Sequence, residues 1–117
     1  VTEVPIGDRR ALNQALIFSS VVPVRARRPP ASLLRALRSA LRMSQSQLAR
    51  RSAVPRAHLA RVESGRLDPR LSTLSRLFDA MFCDLLILPL ARRRPSEAIA
   101  ERRLEMAGRR RWRIWDP

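Results

Sequence analysis

Arginine is the residue type with the most chemistry to offer in this chain. A guanidinium presents paired N–H donors in one plane. It can therefore meet two acceptors at once: a carboxylate, two phosphate oxygens, or the N7 and O6 edge of guanine. All 24 basic residues are arginine, set against 10 acidic ones, for a net charge of +14 over 117 residues. By itself that charge is a weak sign, because Ala, Leu and Pro are abundant too and GC-rich coding favours all four. Placement has to decide. Arg56, Ala57, His58, Ala60 and Arg61 share the outward side of a short segment whose Leu59 and Val62 point the other way. Other reactive types stand alone. His58 is the only histidine and Cys83 the only cysteine, so an intrachain disulfide and a cysteine-cluster metal site are excluded, and a histidine-based metal site or a Ser-His-Asp apparatus has no supporting cast. Cys83 reads as a small apolar residue at a helix end. Glu97, Glu101 and Glu105 share one helical ridge and read as solvated partners for arginine, not as paired catalytic carboxylates. The chain is expected to be no enzyme, to use no cofactor and to hold no metal.

The elements that must position these side chains are legible from spacing. A chain of this length supports one compact domain with an arm or tail. With 45% apolar residues but only 4% aromatic ones, its core must be aliphatic, as in small packed helices. Pro30 suits a first helical turn, and Leu33, Leu34, Leu37 and Leu41 follow at helical intervals. Ser44-Gln45-Ser46-Gln47 is a capping box, flanked by Met43 and Leu48 as a hydrophobic staple. One helix should therefore stop near Arg42 and the next begin at Ser44. Ser52-Ala53-Val54-Pro55 interrupts that second helix, and Pro55 opens a third that should end near Gly65. Past Arg66-Leu67-Asp68-Pro69, a fourth helix carries Leu71, Leu74, Leu77, Phe78 and Met81. The second and third helices with their turn have helix-turn-helix geometry. A short third helix fits the major groove of double-stranded DNA, where arginine can bond guanine and the Ala57 methyl can meet that of thymine. Arg66 and Arg70 flank the following loop within reach of phosphates. Here the placement agrees with the charge.

Outside this segment the signals thin. Three regions are expected: residues 1–28 as an N-terminal arm or helix, 29–82 as the helix-turn-helix domain, and 83–117 as a strand, a helix and a basic tail. In the first, Ala11, Leu12, Ala15 and Leu16 fall on one helical face, with Asp8 placed to cap it, and Val21-Val22-Pro23-Val24 reads as extended. Cys83 to Leu90 reads as a β-strand that Pro89 demotes to an edge or a strand end. Being apolar on both faces, it is expected to pair with its twin across a two-fold axis. Arg92 to Pro95 reads as a linker. Ser96 can cap a last helix to about Ala107, stopped by Gly108. In the tail, at least one of Trp112 and Trp115 is expected to pack on the domain or at a dimer contact. No apolar run approaches the roughly 18 residues of a membrane span, and Asp8, Arg9 and Arg10 stand where a leader's apolar core would develop. A bacterial cytoplasmic, nucleoid-associated protein is expected, with no membrane contact.

Leu37-Arg38, Met43-Ser44-Gln45-Ser46-Gln47-Leu48-Ala49, Val54 and Arg61-Val62-Glu63-Ser64-Gly65 resemble, at matching spacing, the phage-repressor class called Cro/C1 or XRE. The likeness covers Leu34 to about Leu86. It implies a mainly α, lambda-repressor-like domain of four or five helices, here with an appended strand and terminal helix. In that class the glutamine opening the second helix clamps a phosphate, here Gln45, with Ser44 beside it. Outward positions of the third helix read bases, here Arg56, Ala57 and Arg61, with His58 among them. An arginine of the first helix pairs with a glutamate ending the third, here Arg38 and Glu63. The sequence departs from the class at Arg42, Ala53 and Phe82, where glycine is usual, and at Pro55, where Ser or Thr usually caps the third helix. Arg28-Pro29-Pro30, Ala40 to Ser44 and Ala80 to Leu85 further resemble the group known as mobile mystery protein A, found in mobile elements beside a Fic-domain partner. Three functions remain open on these grounds. They are an autoregulatory repressor binding a palindromic operator as a homodimer, an antitoxin-like protein that neutralises a partner encoded nearby, and a sequence-independent nucleic-acid binder.

Overall fold

A computed structural model describes residues 4–115, and the side chains of residues 4–108. The chain is mainly helical. Among the described residues there are six α-helices, α1 (Ile6–Ser20), α2 (Pro30–Ala40), α3 (Gln45–Ser52), α4 (Arg56–Glu63), α5 (Leu71–Asp79) and α6 (Pro95–Trp115), with a short 3-10 turn at Val24–Ala26. Residues 23–87 form one compact unit, and residues 1–22 group with 88–117 as another.

The 23–87 unit is built on part of its leucine pattern, with Leu33, Leu41 and Leu71 left exposed. Leu34 of α2, Leu48 of α3, Leu59 of α4 and Leu77 of α5 are all fully buried, joined by Val54, Val62 and Met81. Each such side chain contributes roughly 1.5–3 kcal/mol through the water it leaves. Pro30 opens α2 at its first position, where a missing N–H costs nothing. At α3 the capping box forms in full. The Ser44 hydroxyl accepts the Gln47 N–H at 3.1 Å, and the Gln47 side chain accepts the Ser44 N–H at 2.8 Å.

The helix ends are more unusual. Three helices stop in the same way, with one backbone N–H reaching back five residues and its predecessor reaching back within that loop. Met43 N–H donates to Arg38 O after α2, Arg66 N–H to Arg61 O after α4, and Cys83 N–H to Phe78 O after α5. The motif needs one residue with positive φ. Gly65 supplies it after α4 at 76°, but Arg42 (56°) and Phe82 (63°) supply it elsewhere, and Ala53 (58°) does so at the end of α3. These three are the positions where the resemblance leads one to expect glycine. A side chain there costs about 1–2 kcal/mol. Part of that is offset by arginines that cross between helices. Arg76 of α5 donates to the carbonyls of Ser52 (3.1 Å) and Ala53 (2.8 Å) at the end of α3. Arg51 of α3 donates to Ala80 O at 2.9 Å, just past α5, and stacks 4.9 Å from the Phe82 ring centroid. Orphan carbonyls and the negative helix end both favour a cation there.

Several expectations are corrected. The segment from Cys83 to Leu90 has no regular structure, and among the described residues there is no strand. An extended run becomes a strand only when a second one pairs with its N–H and C=O groups, and no described segment does so. Leu85 instead packs against the core, while Leu86 and Ile87 are exposed. In α1 the cap is Pro5, and Asp8 sits in the first turn. The helix runs on to Ser20, so Val21 and Val22 make a turn, Pro23 alone is extended (φ −59°, ψ 144°), and Val24 opens the 3-10 segment, closed by Ala26 N–H donating to Pro23 O at 2.9 Å. Pro23 suits the position before the 3-10 turn because its ring holds φ near −59°. The last helix starts at Pro95, one residue before Ser96, and continues through Gly108. A glycine inside a helix costs only about 0.5–1 kcal/mol, less than its helix-favouring neighbours supply. Arg93 pairs with Glu101 on this helix. The expectation for Trp112 and Trp115 concerns side chains outside the described ones.

Ala53→Gly is expected to stabilise the 23–87 unit. Relief of about 1–2 kcal/mol of left-handed strain exceeds the roughly 0.5–1 kcal/mol of extra chain entropy that glycine loses. Thermal unfolding followed by circular dichroism should show a higher midpoint, and an unchanged or lower one would count against strain at this position.

Candidate nucleic-acid interface

The turn between α3 and α4 spans only Ala53 to Pro55. Ser52 prepares it. Its buried hydroxyl donates to Leu48 O at 2.7 Å and accepts the Val54 N–H at 3.3 Å, which ends α3 and bends the chain. Val54 is buried beneath the turn. Pro55 then occupies the N-cap of α4 and provides no side-chain cap. The first N–H groups of α4 are thus left for solvent or an external acceptor.

The other end of α4 is held tightly. Arg38 of α2 donates from Nε to Glu63 Oε1 at 2.5 Å and from Nη2 to Glu63 Oε2 at 3.0 Å, a two-point fork. Its Nη1 donates to Met43 O at 2.9 Å, in the α2–α3 turn. Arg35 donates to the main-chain carbonyl of Glu63 at 3.1 Å, and Gln45 of α3 donates from Nε2 to Glu63 Oε2 at 2.9 Å. One carboxylate therefore ties α2, α3 and α4 together. The side chains of Arg38 and Glu63 are 15% and 5% exposed. Burial pushes the Glu63 carboxyl up, but hydrogen bonds from Arg38 and Gln45 and the charges of Arg38 and Arg35 outweigh it. The group ends below its ordinary 4.5.

With α4 fixed, its outward face follows from geometry. Successive residues turn by about 100°, and Leu59, Val62 and Glu63 define the buried direction. Ala57 and Arg61 lie farthest from it, and both are exposed, as is Arg56. His58 and Ala60 flank the buried direction at about a right angle and are half-buried, a correction to their reading as fully outward positions. Arg66 and Arg70 are exposed in the segment between α4 and α5. Ser44 is exposed, its oxygen engaged in the capping box. Gln45 is half-buried and spends one amide hydrogen on Glu63, which leaves the second for another acceptor.

The first helix of this assembly, the two-helix step, and the helix packed behind them are all within one matched segment: a family model described as a helix-turn-helix domain covers residues 31–85. The match makes this segment similar to helix-turn-helix domains. No curated protein and no solved structure matches the chain. Within the matched segment, α3 and α4 are the two helices joined by the short turn from Ala53 to Pro55. Among the described residues, no helix is long and apolar enough to cross a membrane.

Neither residue type nor spacing points to Arg35, Arg51 and Arg76 as helix-end partners. Their acceptors are main-chain carbonyls of other helices, and a carbonyl leaves no mark on residue type. The fork between Arg38 and Glu63, by contrast, was anticipated from the resemblance.

Removing Arg38 leaves a buried carboxylate short of its main partner, so Arg38→Ala should cost about 3–5 kcal/mol in urea unfolding at neutral pH. A loss under about 1 kcal/mol would mean that the pair is replaceable by water.

The depressed Glu63 carboxyl also sets a pH dependence. Its contribution is complete above the ordinary value of 4.5 and is lost as the pH falls through the lower folded value. Unfolding free energies measured from pH 7 to pH 3 should fall more steeply for the unmodified chain than for Glu63→Gln, and parallel curves would refute the assignment.

Proposed function

We propose that the chain is a sequence-specific, DNA-binding transcription regulator that acts by binding and not by catalysis, without metal or cofactor. The observation that carries the reading is the exposed Arg56–Ala57–Arg61 surface of α4, held by the Glu63 cluster inside the segment similar to helix-turn-helix domains. Arg56 and Arg61 would donate to guanine edges, and Ala57 would meet a thymine methyl. His58, at the border of this face, would touch the groove wall. Ser44 and Gln45 at the start of α3, with Arg66 and Arg70 beyond α4, would meet phosphates and set the register.

The finer reading is a repressor of its own promoter, binding a palindromic operator as a homodimer. It is supported by the apolar surface at the end of the domain, where Phe82 and Leu86 are each 77% exposed and Ile87 lies beside them. A second copy covering it would follow the pattern in which two-fold symmetric proteins read two half-sites about one DNA turn apart. The second reading, an antitoxin-like protein that neutralises a partner encoded nearby, such as a Fic-domain protein, is favoured by α1. Ile6, Leu12, Ile17 and Phe18 of that helix are all at least half exposed, and apolar surface of this kind marks interaction sites. The two functions are compatible on one chain.

Fluorescence anisotropy on the chain's own promoter region against scrambled DNA, at about 150 mM salt, tests the first reading. A preference of about a thousandfold or more is expected. Arg56→Ala and Arg61→Ala should each lower it by about 1–3 kcal/mol per contacted base pair, whereas Gln45→Ala should weaken binding evenly across sequences. Equal affinity for both DNAs would overturn sequence-specific regulation. Co-purification with the neighbouring gene's product, unaffected by Arg56→Ala and Arg61→Ala, would support the antitoxin reading.

A further inference from the structure

The turn between α2 and α3 opens onto a groove of about 550 Å³ lined by Leu41, Arg42, Met43, Gln47, Arg50 and Arg51. Its volume is within the range of small-molecule sites, which run from about 300 to 1,000 Å³. Three guanidinium groups from two elements meet there, and no carboxylate is among the lining residues. Like charges gathered without a counter-charge repel one another, so an anion placed among them is favoured. The groove is separate from the face proposed to read DNA. Gln47, Arg50 and Arg51 lie more than about 100° around α3 from Gln45, the α3 residue bonded to the end of α4.

Two of the arginines are held in place. Arg51 has its Nε committed to Ala80 O at 2.9 Å and its guanidinium over Phe82. Its two terminal nitrogens stay available, and their fork loses little freedom on meeting an oxyanion. Arg42 stands at φ 56°, a conformation in which glycine would be free of strain, so the fold bears a cost to keep a guanidinium at this corner. Gln47 uses its side-chain oxygen in the capping box and keeps its amide donors. The wall is different in kind: Leu41 is exposed and Met43 half-buried against the core, which gives an apolar surface beside the donors.

We propose that this groove binds a small organic oxyanion, a phosphate or carboxylate carried on an apolar body. The guanidinium groups bond the oxyanion, and the body rests on Leu41 and Met43. The site stands on its own geometry and does not depend on the DNA-binding reading.

The test is a titration of the full chain with phenyl phosphate and, separately, with inorganic phosphate, followed by amide proton–nitrogen NMR spectra. Saturable shifts confined to residues 41–51 and Phe82 are expected, with phenyl phosphate about tenfold tighter than inorganic phosphate, or 1.4 kcal/mol. Arg42→Gly is the decisive variant. It removes a guanidinium where glycine relieves the backbone, so it should weaken phenyl phosphate binding about tenfold while leaving the fold at least as stable. Arg50→Ala should act likewise, and Arg103→Ala on α6, with the same loss of charge, should bind as the unmodified chain does. Shifts spread over the exposed arginines without saturation would overturn the proposal, as would equal affinity for the two anions or undiminished binding in Arg42→Gly. Displacement of phenyl phosphate by any DNA duplex, with the same residues moving, would assign the groove to the nucleic-acid backbone and would overturn it too.

Discussion

The carboxylate of Glu63 is the point on which the arrangement of three helices depends. It ends α4, receives both arms of the Arg38 fork from α2 and takes an amide hydrogen from Gln45 of α3. Taking an ion out of water carries a penalty of several kcal/mol, which attraction alone repays only when the remaining lone pairs are also satisfied. Here they are, and no buried side-chain polar atom among the described residues lacks a partner. A buried pair of this kind adds little to stability compared with an apolar replacement. What it does add is direction, because a fork has one geometry where leucines have many. The orientation of α4, and with it the outward aim of Arg56, Ala57 and Arg61, is set by that fork.

A charge of +14 invites the view that arginine serves a partner. The structure divides the arginines into two populations. Arg35, Arg38, Arg51 and Arg76 turn inward to carbonyls or to Glu63 and hold helix ends. Arg56, Arg61, Arg66 and Arg70 stand exposed along one stretch of chain. Composition alone cannot separate them. The arginines that hold the fold do so through long side chains that reach across from a neighbouring helix, a service lysine provides less well because it lacks the planar fork.

How much was legible in the sequence follows from how local each signal is. Ser44 and Gln47 cap α3 through contacts three residues apart, and Pro30 opens α2 through its own ring, so residue type and spacing sufficed. Of the leucines at helical spacing, Leu34, Leu48, Leu59, Leu74 and Leu77 are in the core, whereas Leu33, Leu41 and Leu71 are exposed, because spacing marks a face without saying how far the packing covers it. The positive-φ sites at Arg42, Ala53 and Phe82 were foreshadowed only by comparison with a pattern rich in glycine there. The segment after Cys83 was misread because β-branched and leucine-rich runs state a preference for burial, and extended pairing is one of several ways to meet it. Leu85 meets it by packing on the helical core. The outward reading of His58 failed for a finer reason. A helix of eight residues has broad flanks, and a residue at a right angle to the core is covered in part by its neighbours. The role of each candidate side chain toward DNA is a matter of an absent partner, on which local pattern is silent.

The crossed arginines have a consequence for how this small domain breathes. Arg51 leaves α3 to close the end of α5, and Arg76 leaves α5 to close the end of α3. Helix termini ordinarily fray independently, each last turn opening at little cost to its neighbours. Here, opening the final turn of α3 displaces the arginine that holds α5, and opening α5 withdraws the one that holds α3. The two ends are locked into one cooperative unit. The step between α3 and α4 therefore starts from a terminus that cannot unwind alone, which gives the turn a firm hinge without any glycine in it.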